Sequence, residues 1–218
     1  MERQFWIGRW MENRIGFHLK EVNPLLQRYW PEVAPQCSGR VLVPLCGKSQ
    51  DLRWLVERGH DVVGVEFSEM AARDFAKEQG IAFAETKEGS FTVFRAERLA
   101  IFVGDFMEFS PHLAGSFDLL YDRAAMIALP SATRERYVLH LKSLLTSNAN
   151  GLLISLAYEP SESVVPPYSV LENEVRTHFK EFDVRKLEIV DILAGDQRFQ
   201  ERGVRYLHEV VYRLSRSR

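Results

Sequence analysis

Gly47 and Glu66, 19 positions apart, are the first residues in this 218-residue chain whose types and spacing could do chemistry together. Gly47 lies in the loop Pro44-Leu45-Cys46-Gly47-Lys48-Ser49, directly after the apolar run Val41-Leu42-Val43. Glu66 closes a second such run, Asp61-Val62-Val63-Gly64-Val65-Glu66. A carboxylate about 20 residues beyond a glycine turn is placed to accept both vicinal hydroxyls of a nucleoside ribose. Each residue also has a plainer use, glycine in any tight turn and a strand-terminal glutamate on any solvated rim. What the loop lacks narrows the nucleoside. Gly47-Lys48-Ser49 ends like the phosphate-binding pattern G-x-x-x-x-G-K-[ST], but Leu42 stands where the first glycine belongs. A dinucleotide site needs G-x-G-x-x-G so that bare amides meet a pyrophosphate, and this loop has one glycine and a proline. S-adenosylmethionine carries a ribose and no phosphate, so it suits the loop better than a nicotinamide dinucleotide.

Two further apolar runs end in groups that could face the same ligand. Val103-Gly104-Asp105-Phe106 offers an acid for an adenine amino group and a ring to border it, although a turn after a strand would read the same way. Leu120-Tyr121-Asp122-Arg123 puts two charges at a strand end, with a surface ion pair as the alternative. The six histidines, His18, His60, His112, His140, His178 and His208, are scattered without metal-ligand spacing, and no metal site is expected. The two cysteines, Cys37 and Cys46, suggest neither a disulfide scaffold nor a thiolate cluster, and the reducing cytoplasm fits them best.

The elements that must position these residues alternate. A strand at 41–43 leads into a helix with Leu52, Leu55 and Val56 inward, ended by Gly59; a strand at 61–66 leads into a helix from Ser68 to Gln79, ended by Gly80. Further strands are expected at 91–94, 99–103, 117–121 and 151–156, and a helix at 133–145. Ser169 and Glu172 have capping-box spacing for a short helix to Phe179, and two long strands at about 182–193 and 204–214 read as an antiparallel pair at the sheet edge. The pattern predicts an α/β fold: one open, mainly parallel sheet with helices on both faces and ligands beyond the strand ends. Residues 1–37 carry Trp6, Trp10, Trp30, Phe5 and Phe17. They include one helix over 5–13 and another over 22–30 that Pro31 should stop, and they are either packing for the core or a lid over a ligand.

Composition sets the outer bounds. A hydrophobic share of 46% and 11% aromatic residues supply a core, and one domain over 1–218 with 1–37 as an N-terminal aromatic segment is expected. The net charge of −2 creates no field for polyanions, so nucleic acid is not an expected partner. No run reaches the roughly 18 apolar residues of a membrane span, and no heptad pattern or flat apolar edge speaks against a monomer.

Five strings then carry a resemblance: Phe5-Trp6 and Trp10 ahead of Phe17-His18; Val43-Pro44-Leu45-Cys46-Gly47-Lys48; 58–66; Phe117-Asp118 through Asp122-Arg123; and Pro166-Pro167-Tyr168. Together they resemble the thiopurine S-methyltransferase family in its bacterial form over nearly the whole chain. The resemblance implies a class I methyltransferase sheet of seven strands with an antiparallel C-terminal hairpin, and S-adenosyl-L-methionine as cofactor. It implies a small-molecule thiol as acceptor, with selenium and tellurium species beside it. By matched position it places Trp10, Leu45, Glu66, Asp105, Phe106 and Arg123 at the cofactor and Phe17, Arg123 and Arg198 at the acceptor, and it names no catalytic base. A halide or thiocyanate methyltransferase, a nicotinamide-dependent oxidoreductase and a non-catalytic binding protein are the alternatives.

Overall fold

In the computed structural model of the chain, described for residues 3–12, 14–16, 18–36, 38–159 and 166–216, a nine-stranded sheet runs in the order β3-β4-β5-β2-β1-β6-β7-β9-β8. The central strands are β1 (Arg40–Pro44), β2 (Asp61–Glu66), β5 (Leu99–Val103), β6 (Phe117–Arg123) and β7 (Leu145–Ala157). They pair in parallel, and their near-continuous apolar runs are what a sheet covered on both faces requires. β2 lies to one side of β1 and β6 to the other. That reversal opens a crevice beyond the ends of β1 and β6.

Period-two alternation divides the covering layers. On one face Leu26 and Trp30 of α2 (Pro24–Val33), Leu52 and Leu55 of α3 (Asp51–Glu57) and Phe75 of α4 (Glu69–Gln79) pack on Val41, Val43, Tyr121 and Ile154. On the other, Tyr137, Val138 and Leu141 of α6 (Ser131–Leu144) and Val175 of α7 (Glu172–His178) pack on Leu42, Leu120 and Leu153. Ser68 accepts the Ala71 N–H to start α4, and Gly80 at φ 62 ends it.

The observed fold differs from the expectation in three ways. It has nine strands rather than seven, because β3 (Ala84–Glu88) pairs antiparallel with β4 (Phe91–Arg95), which in turn lies antiparallel to β5. The segment Ala-Glu-Thr-Lys-Glu has no apolar alternation to announce a strand; it is a charged edge held by backbone pairing with β4 and by the ion pairs of Glu85 with Arg73 and of Glu88 with Arg95. The last two strands, β8 (Phe182–Asp191) and β9 (His208–Arg216), form the expected antiparallel pair at the sheet edge, with β9 lying between β7 and β8. Pro31 does not stop α2, which runs to Val33; Trp30 and Val33 bury on either side of it, and one missing N–H near a helix end is outweighed by that packing. Ser169 likewise does not cap α7. Its hydroxyl accepts the Tyr158 N–H at 3.1 Å and donates to the Tyr158 carbonyl at 2.7 Å, while Glu172 takes Arg176.

Candidate functional site

The crevice is shaped by two residues in a backbone conformation that side chains avoid. Leu45, one residue past β1, has φ 48, and Ala124, one past β6, has φ 70. A left-handed non-glycine residue costs roughly 1–3 kcal/mol and persists only where its surroundings hold it. Cys46 N–H donating to the Val65 carbonyl at 3.2 Å is one such restraint. Both residues line one cavity of about 410 Å³, which also takes in Trp6, Trp10, Leu19, Gly47, Glu66, Phe67, Arg123, Ile127, Leu156, Arg198 and Glu209. A second cavity of about 260 Å³ is lined by Gly104, Asp105, Phe106, Met107, Leu129 and Tyr137, and shares Leu45 and Phe67 with the first.

Glu66 is buried, and each of its oxygens accepts one backbone N–H, Gly47 at 2.9 Å and Ser68 at 2.9 Å. Burial pushes its pKa up, and those amides with that of Phe67 pull it back. A carboxylate has about four lone-pair positions, so two remain for a pair of hydroxyls. Gly47, at φ 55, brings its amide to Glu66 and leaves room for the Trp10 ring, which would stand 3.3 Å from a Cβ there. Asp105 accepts the Met107 N–H at 2.9 Å and is otherwise exposed at the rim of the second cavity, where Phe106 is buried as a wall. Two apolar chambers joined at Leu45 and Phe67 beside an acid with two open acceptor positions fit an adenosine whose ribose sits at Glu66 and whose far end enters the larger chamber.

Seven of the eight residues expected at a ligand therefore come together. Trp10, Leu45, Glu66, Arg123 and Arg198 line the larger cavity, and Leu45, Asp105 and Phe106 the smaller. Phe17 lies outside the described residues. Asp122, read as a possible partner of Arg123 at the strand end, faces the other side of the sheet. It is fully buried, accepts the Tyr137 hydroxyl at 2.7 Å and the Met126 N–H at 3.2 Å, and burial pushes its pKa up to about 6. Arg198 lines the cavity as an ion pair, its guanidinium 2.8 Å from Asp196, which holds its pKa up.

Sequence reasoning missed Phe67, which walls both cavities, and Glu209. β9 runs against its neighbours, so its first residues meet the last residues of the parallel strands. An acid at the start of the antiparallel strand beside β7 was the available signal. Among the described residues no group of three or more metal-ligating side chains gathers, and no helix is long and apolar enough to cross a membrane.

Comparisons with known proteins bear on this geometry. Residues 1–217 match the thiopurine S-methyltransferase family. A thiopurine S-methyltransferase of Pseudomonas fluorescens is 46% identical over 215 residues, covering 98% of this chain and 99% of its own, and one of Azotobacter vinelandii is 45% identical over 217 residues, covering 99% and 100%. Among solved structures, the 1,6-didemethyltoxoflavin-N1-methyltransferase of Burkholderia thailandensis with bound S-adenosylhomocysteine superposes with TM-score 0.65 at 14% identity, over 99% of this chain and 87% of that one. The N-methyltransferase NodS of Bradyrhizobium japonicum with S-adenosylhomocysteine superposes at 0.60 and 12%, over 90% and 89%. At such identities the superpositions establish the class I methyltransferase fold. With matches along nearly its whole length, the chain belongs to the thiopurine S-methyltransferase family, enzymes that transfer a methyl group from S-adenosylmethionine.

Proposed function

We propose that the chain methylates the sulfur of aromatic and heterocyclic thiols, thiopurines among them, and that selenium and tellurium species of similar softness are accepted. The observation that carries this reading is the wall of the larger cavity. Trp6, Trp10, Ile127 and Leu156 offer apolar surface for a flat ring, and Arg123 and Arg198 offer positive charge for an electron-rich soft atom. The names of the relatives support the same acceptor class.

In this reading Glu66 holds the ribose, Asp105 and Phe106 the adenine, and Trp10, Leu45 and Arg123 the remainder of the cofactor. Phe17, Arg123 and Arg198 face the acceptor. The cofactor supplies a methyl group on a sulfonium that is already a good leaving group. What the chain supplies is position and dryness: an aromatic wall that fixes the ring, Arg123 to favour the anionic form, Arg198 to position it, and the first helix, α1 (Arg3–Met11), which closes over Gly47 through Trp10 as a lid. The chain is taken as one domain over 1–218 acting as a cytoplasmic monomer, with neither nucleic acid nor membrane as partner.

The experiment is a turnover panel of aryl thiols, a thiopurine, selenite, iodide, thiocyanate, phenols and anilines. Sulfur and selenium acceptors should lead. Faster methylation of oxygen or nitrogen acceptors would refute the reading, and preference for iodide or thiocyanate would move the protein to the halide class.

A further inference from the structure

We infer that Glu209 is the proton acceptor for thiols that enter the site in neutral form, an inference that rests on the sulfur-acceptor reading above. Glu209 is placed by β9. In register it faces Leu156 on β7, which lines the larger cavity, while Arg123 on β6 faces Ile154 on the other edge of β7. Ile154 and Leu156 share a sheet face, so Arg123 and Glu209 do too, two strands across and two residues along, or about 12 Å apart. A ring lying over β7 has a cation on one side and a carboxylate on the other.

The carboxylates of this cavity are not equivalent. Glu66 is committed to two amides, and Asp196 to Arg198. The Glu209 carboxylate makes no hydrogen bond or ion pair with any described side chain or amide. Burial pushes its pKa up, and the charge of Arg123 pulls it back, which suits a group that must collect a proton and release it again. The charged groups facing it are Arg9 and Arg14 of the N-terminal segment, Glu66, Arg123 and the Asp196–Arg198 pair, and the Tyr121 hydroxyl lies within electrostatic reach.

The step balances. The S–H proton passes to a Glu209 oxygen, the bonding pair stays on sulfur as a thiolate, and the carboxylate becomes a neutral acid. Methyl transfer then consumes the thiolate, and Glu209 returns its proton to solvent. Acceptors already ionised bypass the step.

The test uses a heterocyclic thiol whose solution pKa lies above the assay pH. In turnover, Glu209→Gln should lose about 100-fold in kcat/KM for that acceptor and under about 3-fold for one ionised in solution. Equal losses at every acceptor pKa overturn the inference while leaving the sulfur reading intact. A wild type that methylates no thiol overturns the sulfur reading, and this inference with it. Should Glu209→Gln not fold, Glu209→Asp decides: the acidic limb of kcat/KM for the high-pKa acceptor must move, and an unmoved limb overturns the proposal.

Discussion

The Glu66 carboxylate at the end of β2 accepts the Gly47 amide from the loop after β1 at 2.9 Å, so one buried side chain ties together the two loops that flank the crevice. In the proposed function the same group holds the cofactor's ribose. Glu66→Gln keeps the shape, but its amide nitrogen then faces a backbone N–H or a hydroxyl that needs an acceptor. Affinity for S-adenosylhomocysteine should fall by roughly 1.5–3 kcal/mol, about 10- to 150-fold. An unchanged Kd by calorimetry would remove Glu66 from the ribose.

The parallel centre of the sheet was legible because buried parallel strands are written as apolar runs, and the meeting of Gly47 and Glu66 because each follows or closes one of two neighbouring strands. β3 was not legible, since Ala-Glu-Thr-Lys-Glu buries almost nothing and takes its form from β4. Asp122 and Arg123 are adjacent in sequence, and alternation sends them to opposite faces. A strand-end motif alone does not say which of the two faces the ligand. Glu209 was hidden because its place depends on β9 running backwards, a property of the sheet rather than of any local string.

Gly64 in β2 has no room for a side chain: a Cβ there would stand 2.6 Å from the Cys46 sulfur. Cys46 is buried, with its thiol pKa pushed well up by that burial, so it acts through its volume rather than through any reactivity. Gly64→Ala should destabilise the protein by about 1–3 kcal/mol. Removing the sulfur in Gly64→Ala/Cys46→Ala should return part of that loss. Urea denaturation of the four proteins of the cycle measures the coupling, and strictly additive losses would count against the contact.

Asp122 gives stability a pH dependence of its own. Its pKa rises from 3.8 to about 6 on folding, so the folded state binds the extra proton. Stability from this group is fully present below about 3.8 and is lost as pH rises through about 6. Asp122→Asn carries no such charge. Between pH 4 and 7 wild type should therefore lose about 1–3 kcal/mol relative to Asp122→Asn, whatever the other carboxylates do in both proteins. A constant difference across that window would mean that Tyr137 and Met126 hold the carboxylate ionised.

The lid proposal for the N-terminal segment rests on Trp10, which is buried against Gly47 although its helix precedes the sheet. Amides of 3–12 should exchange faster than those of α2 in the protein alone and slow by about tenfold or more with S-adenosylhomocysteine. Exchange equally slow in both states would make the segment a fixed part of the core.

The two arginines of the larger cavity should separate by acceptor pKa. Arg198 is paired with Asp196, so beyond the pair its field is that of a dipole, short in range and weakened further by its exposure. Its Nη1 would stand 2.9 Å from a Cβ on Gly16, which places it where the segment joining α1 to α2 passes the cavity. Such a residue positions. Arg198→Ala should cost about 3- to 10-fold in kcat/KM at every acceptor pKa and leave cofactor affinity intact. Arg123 projects from the end of a central strand and acts on the acid across β7, since its charge lowers the Glu209 pKa. Removing it should weaken cofactor binding, raise the Glu209 pKa further and cost most for acceptors that need a cation beside the thiolate. Kinetics of Arg123→Ala and Arg198→Ala across aryl thiols of graded pKa decide the matter: parallel lines for both variants would mean that neither arginine tunes ionisation, and a steeper dependence for Arg198→Ala would mean that its pairing with Asp196 opens when the acceptor binds.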